Sequence, residues 1–137
     1  MRISTKTRYG MRFMIEVTKK WGQGPMSLKG IADAQGISKK YLEQIVTPLA
    51  SAGLLRVARG TLGGYELSRD PRQITVADIV AVTEEGLHVL DCTMDALACE
   101  RSAGCLSKGI WSGLEESIAT YLDGITLQDI LDQELTC

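Results

Sequence analysis

At 137 residues, 45% hydrophobic and 23% charged, the chain is long enough for one domain with a real core plus an appendage. No apolar run approaches a membrane span and no apolar stretch follows the charged start, so a cytoplasmic protein without membrane association is expected. The net charge of −2 conceals two unlike halves: residues 1–70 hold 12 Lys and Arg against 5 Asp and Glu, while residues 71–137 hold 3 against 12.

Ser4 or Thr5 can cap a first helix running to about Trp21, with Gly10, Phe13, Met14, Val17 and Trp21 on one stripe at helical spacing. Gly22, Gly24 and Pro25 end it. Ser27 then caps a short helix, Leu28 to Gln35, with Leu28, Ile31 and Ala32 facing inward and Gly36 as the turn. Ser38 caps a third helix through about Ala52, whose Leu42, Ile45, Val46 and Leu49 repeat at i, i+3, i+4 and i+7; Gly53 stops it. Pro48 removes one backbone hydrogen bond there and is expected to bend the helix or tighten its last turn. Two strands, Leu54 to Arg59 and Gly64 to Ser68, flank the tip Gly60-Thr61-Leu62-Gly63-Gly64. Thr75 caps a fourth helix over 76–83, and residues 84–105 show no clear period. A long helix follows from about Leu106 to Leu122. Its apolar arc, from Ile110, Leu114 and Tyr121 round to Trp111, Ile118 and Leu122, is too broad for one small body to cover. A helix of that length spans roughly 25 Å, enough for an intermolecular seam. Thr126 to Gln133 forms one more short helix, and no internal repeat is evident.

Helix, short helix, glycine turn, helix and hairpin is the order of a winged helix-turn-helix, a mainly α fold with a small β-hairpin wing, here followed by a long C-terminal helix. The core stripe of 38–52 leaves Ser38, Lys39, Lys40, Tyr41, Glu43, Gln44 and Thr47 exposed or near the helix start, where such helices meet the major groove. Lysine suits phosphate or guanine, Gln44 adenine and Glu43 cytosine. Arg56 and Arg59 at the base of the glycine-rich tip suit a wing in or beside the minor groove. The positive surplus of the same half is the footprint of a polyanion binder, and the acidic half should face away from DNA and regulate or dimerise. The expected division is 1–83 for DNA binding, 84–105 for a cysteine-bearing sensor loop, and 106–137 for the dimerisation helix and tail.

Cys92, Cys99 and Cys105 crowd the segment DCTMDALACERSAGC. Three soft thiolate donors within fourteen residues suit a metal, an iron–sulfur cluster or redox sensing. A closed structural zinc site would need a fourth ligand, and reduced bystander thiols remain an alternative. An enzyme is not expected, because the chain has no C-x-x-C motif, no nucleophile with its base, no phosphate loop and a single histidine, His88.

The opening MRISTKTRYGMRFM, the block SKKYLEQIVTPLASAGLLRVARGTLGGYELSRD and the downstream cysteine trio resemble the Rrf-type family of bacterial winged-helix regulators over nearly the whole chain. The resemblance implies a homodimer on a roughly palindromic double-stranded DNA operator, with helix 106–122 as the dimer seam. It implies DNA contacts from Ser38, Lys40, Tyr41 and Glu43, from Arg59 and Thr61 of the wing, and from Arg2, Thr5 and Lys6 to phosphate. In cluster-bearing branches three loop cysteines bind iron, and these correspond to Cys92, Cys99 and Cys105. The spacing of six residues then five fits the family's three-thiolate 4Fe–4S members at least as well as its 2Fe–2S ones; a 4Fe–4S cluster is the expected group, one that an aerobically prepared sample can lose. The branches complete the site with a histidine three residues beyond the last cysteine or an aspartate in the partner's first helix. Those positions are Lys108 and Arg8 here. His88, Cys137, Asp91, Asp95 and Glu100 are other candidates, or one iron stays open to an outside ligand. The expected function is a DNA-binding regulator, a repressor, whose operator binding follows a cluster that senses iron, redox state or nitric oxide. The alternative is a cluster-free regulator controlled by a partner protein or a small metabolite, as in the family's cysteine-metabolism branch.

Overall fold

The computed structural model of the chain describes residues 2–133. Helix α1 (Thr5–Lys19) starts where the Ser4 hydroxyl accepts the Thr7 N–H at 3.1 Å, and it buries Thr7, Gly10, Phe13, Met14, Val17 and Thr18. It ends two residues before the expected Trp21. The Trp21 N–H turns back to the Thr18 carbonyl and Gly22 takes a φ of +75°, so the chain leaves the helix and Trp21 is 43% exposed, off the core stripe. Helix α2 (Leu28–Gln35) is capped by Ser27 and α3 (Lys39–Ser51) by Ser38. Both close in the same way. Gly36 and Gly53 adopt left-handed φ, while the N–H groups of Ile37 and Leu54 reach back to Ala32 and Leu49. Helix α3 continues through Pro48 to Ser51, and the Ala52 N–H bonds the Pro48 carbonyl at 2.9 Å.

Strands β1 (Leu55–Ala58) and β2 (Gly64–Leu67) pair antiparallel, with Leu55 opposite Leu67 and Ala58 opposite Gly64. Met26, just before α2, adds a bridge to Tyr65 through bonds of 2.9 and 2.8 Å. A Cβ at Gly64 would stand 2.1 Å from the Met26 carbonyl oxygen, so this close backbone approach requires glycine.

A 3-10 turn (Pro71–Gln73) leads to α4 (Val76–Thr83). The stretch without a period contains a one-turn helix, α5 (Asp91–Met94), and two 3-10 turns, Ala96–Ala98 and Ser102–Gly104. Helix α6 (Lys108–Asp123) begins two residues later than expected, and α7 (Leu127–Asp132) follows it. Thr75 and Thr126 each form a capping box, with Asp78 and Asp129 respectively. The two boxes lie side by side: Val76 N–H bonds Ile125 O at 2.8 Å and Leu127 N–H bonds Ile74 O at 2.9 Å. The segments involved, ITVADIV from Ile74 and ITLQDIL from Ile125, share one pattern. That corrects the reading of no internal repeat; the copies are short and 51 positions apart, which is why they do not stand out.

One core joins these pieces. Phe13, Met14, Ile31, Leu42, Ile45, Leu49, Leu67, Ile74, Ile79 and Leu127 are fully buried in it, and Phe13 meets Tyr65 edge-on at 5.8 Å. The last of them comes from α7, so the tail helix closes this core, packing against α1 and the Pro71–Gln73 turn. Among the described residues the fold is mainly helical, seven α-helices and one antiparallel hairpin, and no helix is long and apolar enough to cross a membrane.

Candidate nucleic-acid interface and thiol loop

Capping by Ser38, whose hydroxyl accepts the Tyr41 N–H at 3.1 Å, fixes the start of α3. Turning Leu42, Ile45, Val46 and Leu49 into the core leaves Lys39, Lys40, Glu43, Gln44 and Thr47 in solvent. Lys40, Glu43, Gln44, Thr47 and Pro48 line one shallow open groove. The Thr47 hydroxyl is occupied by the Glu43 carbonyl at 2.8 Å. Half-buried Tyr41 rests edge-on against Tyr9 at 5.9 Å, and the Arg12 guanidinium lies 5.5 Å over the Tyr9 ring. Arg12 also donates to the side chain of Gln35 at 2.6 Å and to its carbonyl at 2.7 Å, tying α1 to the end of α2. Sequence reasoning missed Tyr9 and Arg12. Their spacing, three apart on one helix face, is the available signal.

In the hairpin, Arg56 stands opposite Glu66 and pairs with it, 2.9 Å from Nε and 2.8 Å from Nη2 to Oε1. The pair lies at the surface and Arg56 stays exposed, as do Arg59 and Thr61 at the tip. Arg2 and Thr5 are exposed and Lys6 half-buried at the start of α1, where Arg8 donates to the Thr5 hydroxyl at 3.2 Å.

Behind this surface, Cys92 and Cys99 are half-buried and Cys105 exposed, all three free thiols. They occupy a segment braced against α6: Glu115 accepts the Val89 N–H and the Thr93 hydroxyl. The Thr93 bond is the main reason the Glu115 carboxyl sits below its usual range. Cys105 lies 3.2 Å from the Ser107 hydroxyl, and that contact, with the N–H groups of Ser107 and Lys108 at the start of α6, holds its thiol below the usual range. Lys108 donates to Ser102 at 2.8 Å. His88 Nδ1 is buried without a hydrogen-bond partner, and Nε2 is 3.7 Å from Asp91. Asp95 caps the next turn by accepting the Leu97 N–H. Cys137 lies outside the described residues. By donor chemistry this soft thiol set fits an iron–sulfur group. In this arrangement, however, no three His, Cys, Asp or Glu side chains among the described residues come together closely enough to hold a metal ion.

Helix α6 buries no residue within the chain; Ile110 is 67% and Tyr121 69% exposed. Beside it, Ile3, Met11, Val76, Val80 and Leu122 line an open apolar pocket of about 370 Å³.

The profile of the Rrf2 family, described as iron-dependent transcriptional regulator, matches residues 3–133. The HTH-type transcriptional regulator CymR of Bacillus subtilis (strain 168) is 41% identical over 130 residues, 95% of this chain and 89% of that protein. The solved structure of CymR (YrzC), the global cysteine regulator of B. subtilis, superposes with a TM-score of 0.80 at 39% identity, covering 96% of this chain and 97% of that one. The structure of T. potens IscR gives 0.80 at 40% identity, over 98% and 88%.

Proposed function

The chain belongs to the Rrf2 family and is a DNA-binding transcriptional regulator, not an enzyme; from that premise we propose that it acts as a homodimer whose operator affinity follows an iron–sulfur cluster on Cys92, Cys99 and Cys105. The observation that carries this reading is the siting of three free thiols on one short segment that Glu115 ties to α6. The exposed apolar face of α6 and the pocket beside it suit a second copy of the chain. When bound, a cluster would supply a redox- and iron-sensitive bond network among the thiols. To reach it, the three cysteines must close up from their present positions, which moves the segment between α4 and α6. The two α6 helices of a dimer set the separation of the two α3 helices, and that separation must match the operator half-sites. Lys39, Lys40, Tyr41, Glu43 and Gln44 then face bases and phosphates, with Arg59 and Thr61 at the wing and Arg2, Thr5 and Lys6 on the backbone.

A second reading has its own support. The thiols do not converge, and Lys108 and Arg8 stand where cluster-bearing branches keep a further ligand. Similarity to a protein titled a global cysteine regulator favours a cluster-free regulator controlled by a partner protein or a metabolite. Anaerobic treatment with iron and sulfide, followed by an absorbance spectrum, an iron count and an operator titration, separates the two. A coloured, iron-bearing protein with altered operator affinity supports the cluster; a colourless protein with unaltered affinity contradicts it.

A further inference from the structure

The N-terminus of α1 and the C-terminus of α4 are bonded to each other across 80 positions of sequence. The backbone N–H of Ser4 donates to Glu84 Oε1 at 2.7 Å. Three hydroxyls run beside that bond as an ordered chain. Ser4 Oγ donates to Thr7 Oγ1 at 3.2 Å, Thr7 Oγ1 to Thr83 Oγ1 at 2.8 Å, and Thr83 Oγ1 to the Ile79 carbonyl at 2.9 Å. Thr7 and Thr83 are each 3% exposed, so these bonds lie inside the protein, away from competing water. Gly10 lets the helices close on this point: a Cβ there would meet Thr83 Cγ2 at 3.0 Å and Ile45 Cγ2, on α3, at 3.3 Å. Glu84 is the C-cap of α4 and therefore the first residue of the segment that leads to the thiols.

We propose that Glu84 is a positioning residue for DNA binding: its carboxylate latches the start of α1, with Arg2, Thr5 and Lys6, in the place from which those side chains reach phosphate. The latch rests on the reading of Arg2 and Lys6 as phosphate contacts. It also joins those contacts mechanically to the first residue of the thiol segment, so that displacing one displaces the other. A carboxylate in this position is otherwise unfavourable to the function. It lies near Lys6 on the basic half of the chain, and by charge alone its removal should strengthen binding to a polyanion. The latch predicts the opposite sign.

The test uses the full chain and a non-specific DNA duplex, titrated at several salt concentrations. Non-specific affinity is set by phosphate neutralisation, so no operator need be known. Replacing Arg2 and Lys6 together by Ala should flatten the plot of log affinity against log salt by about two units per protomer, nearly four for a bound dimer. Glu84→Ala should weaken binding by about tenfold at fixed salt, the low end of what loss of one hydrogen bond to a charged group allows, and flatten the slope in the same sense. Glu84→Gln keeps a carbonyl oxygen for the Ser4 N–H and should restore binding to at least the original affinity. Unfolding midpoints show that each variant is folded, and Glu84→Ser, polar but too short to reach Ser4, replaces the Ala variant if that one is not. If Glu84→Ala binds as tightly as the unaltered chain or tighter while the Arg2 and Lys6 variant flattens the slope, the latch is overturned. If the Arg2 and Lys6 variant leaves the slope unchanged, the phosphate reading fails and the latch fails with it.

Discussion

Residues 2–83 and residues 84–123 are built on different terms. The first set closes on itself: its helices α1 to α4 are each capped by a Ser or Thr side chain, two end in left-handed glycines, and their apolar stripes fill one core. In the second set α6 buries nothing, Ile110 and Tyr121 lie in solvent, and three thiols sit on one segment without meeting. The contrast shows where to look for partners. The first region, with Leu127 of α7 closing its core, needs no second copy and presents a surface to DNA. The second makes physical sense only with something added, a second copy on α6 and, on the reading proposed above, a group on the thiols.

The contrast breaks most readily at Phe13, which is fully buried and packed against Tyr65. Phe13→Ala should destabilise the fold by about 3–5 kcal/mol in urea unfolding. By comparison, Ile110→Ser on α6 should change unfolding of the single chain by about 0.5 kcal/mol or less. Its effect should appear instead in sedimentation, as a shift from dimer to monomer. Equal losses of stability from the two variants would erase the distinction.

Smaller effects sharpen it. Thr75→Ala and Thr126→Ala each remove half of a capping box and should cost about 1 kcal/mol apiece. Because the two boxes are bonded together, the double variant should depart from additivity. Three carboxyls sit below their usual range. Burial pushes the Glu84 carboxyl up, but the Ser4 N–H, the Thr7 and Ser4 hydroxyls and the Lys6 charge outweigh it; Glu115 is held down chiefly by Thr93, and Asp129 by the Thr126 N–H and hydroxyl. A depressed carboxyl contributes stability that is present above its unfolded-state value and lost as pH falls through the folded one. Stability from these groups should therefore be flat from neutrality to about pH 5 and fall only below about pH 4. Urea midpoints across that range check it, and a loss already complete at about pH 5 would contradict it. Smallest in stability is Glu115→Ala. It should lower the unfolding midpoint only slightly, less than either capping variant, while speeding tryptic cleavage after Arg101, since the tie between the thiol segment and α6 is lost.

Much of the self-contained half was legible in the sequence because its signals are local. Ser27, Ser38 and Thr75 announce helix starts, Gly36 and Gly53 announce ends, and the stripe of α3 orients its exposed face. The errors came where local signals compete or where pairing decides. Trp21 continues an apolar period that Gly22 interrupts. The Arg56–Glu66 pair depends on strand register, which composition does not show. Tyr9, Arg12 and Glu84 gain meaning from residues 23 to 80 positions away, which periodicity does not register. For the thiols, spacing gives the number and softness of the donors but not the path of the chain between them.

The central claim is that the thiol segment controls the DNA-binding half. Operator affinity should be measured under anaerobic conditions for the unaltered chain and for the Cys92→Ser, Cys99→Ser, Cys105→Ser triple variant, each before and after treatment with iron and sulfide. The account predicts that treatment changes the affinity of the unaltered chain by about tenfold or more, a coupling of ~1.4 kcal/mol, and leaves the triple variant where it was. An unaltered chain whose affinity does not respond, or a triple variant that responds equally, would contradict it.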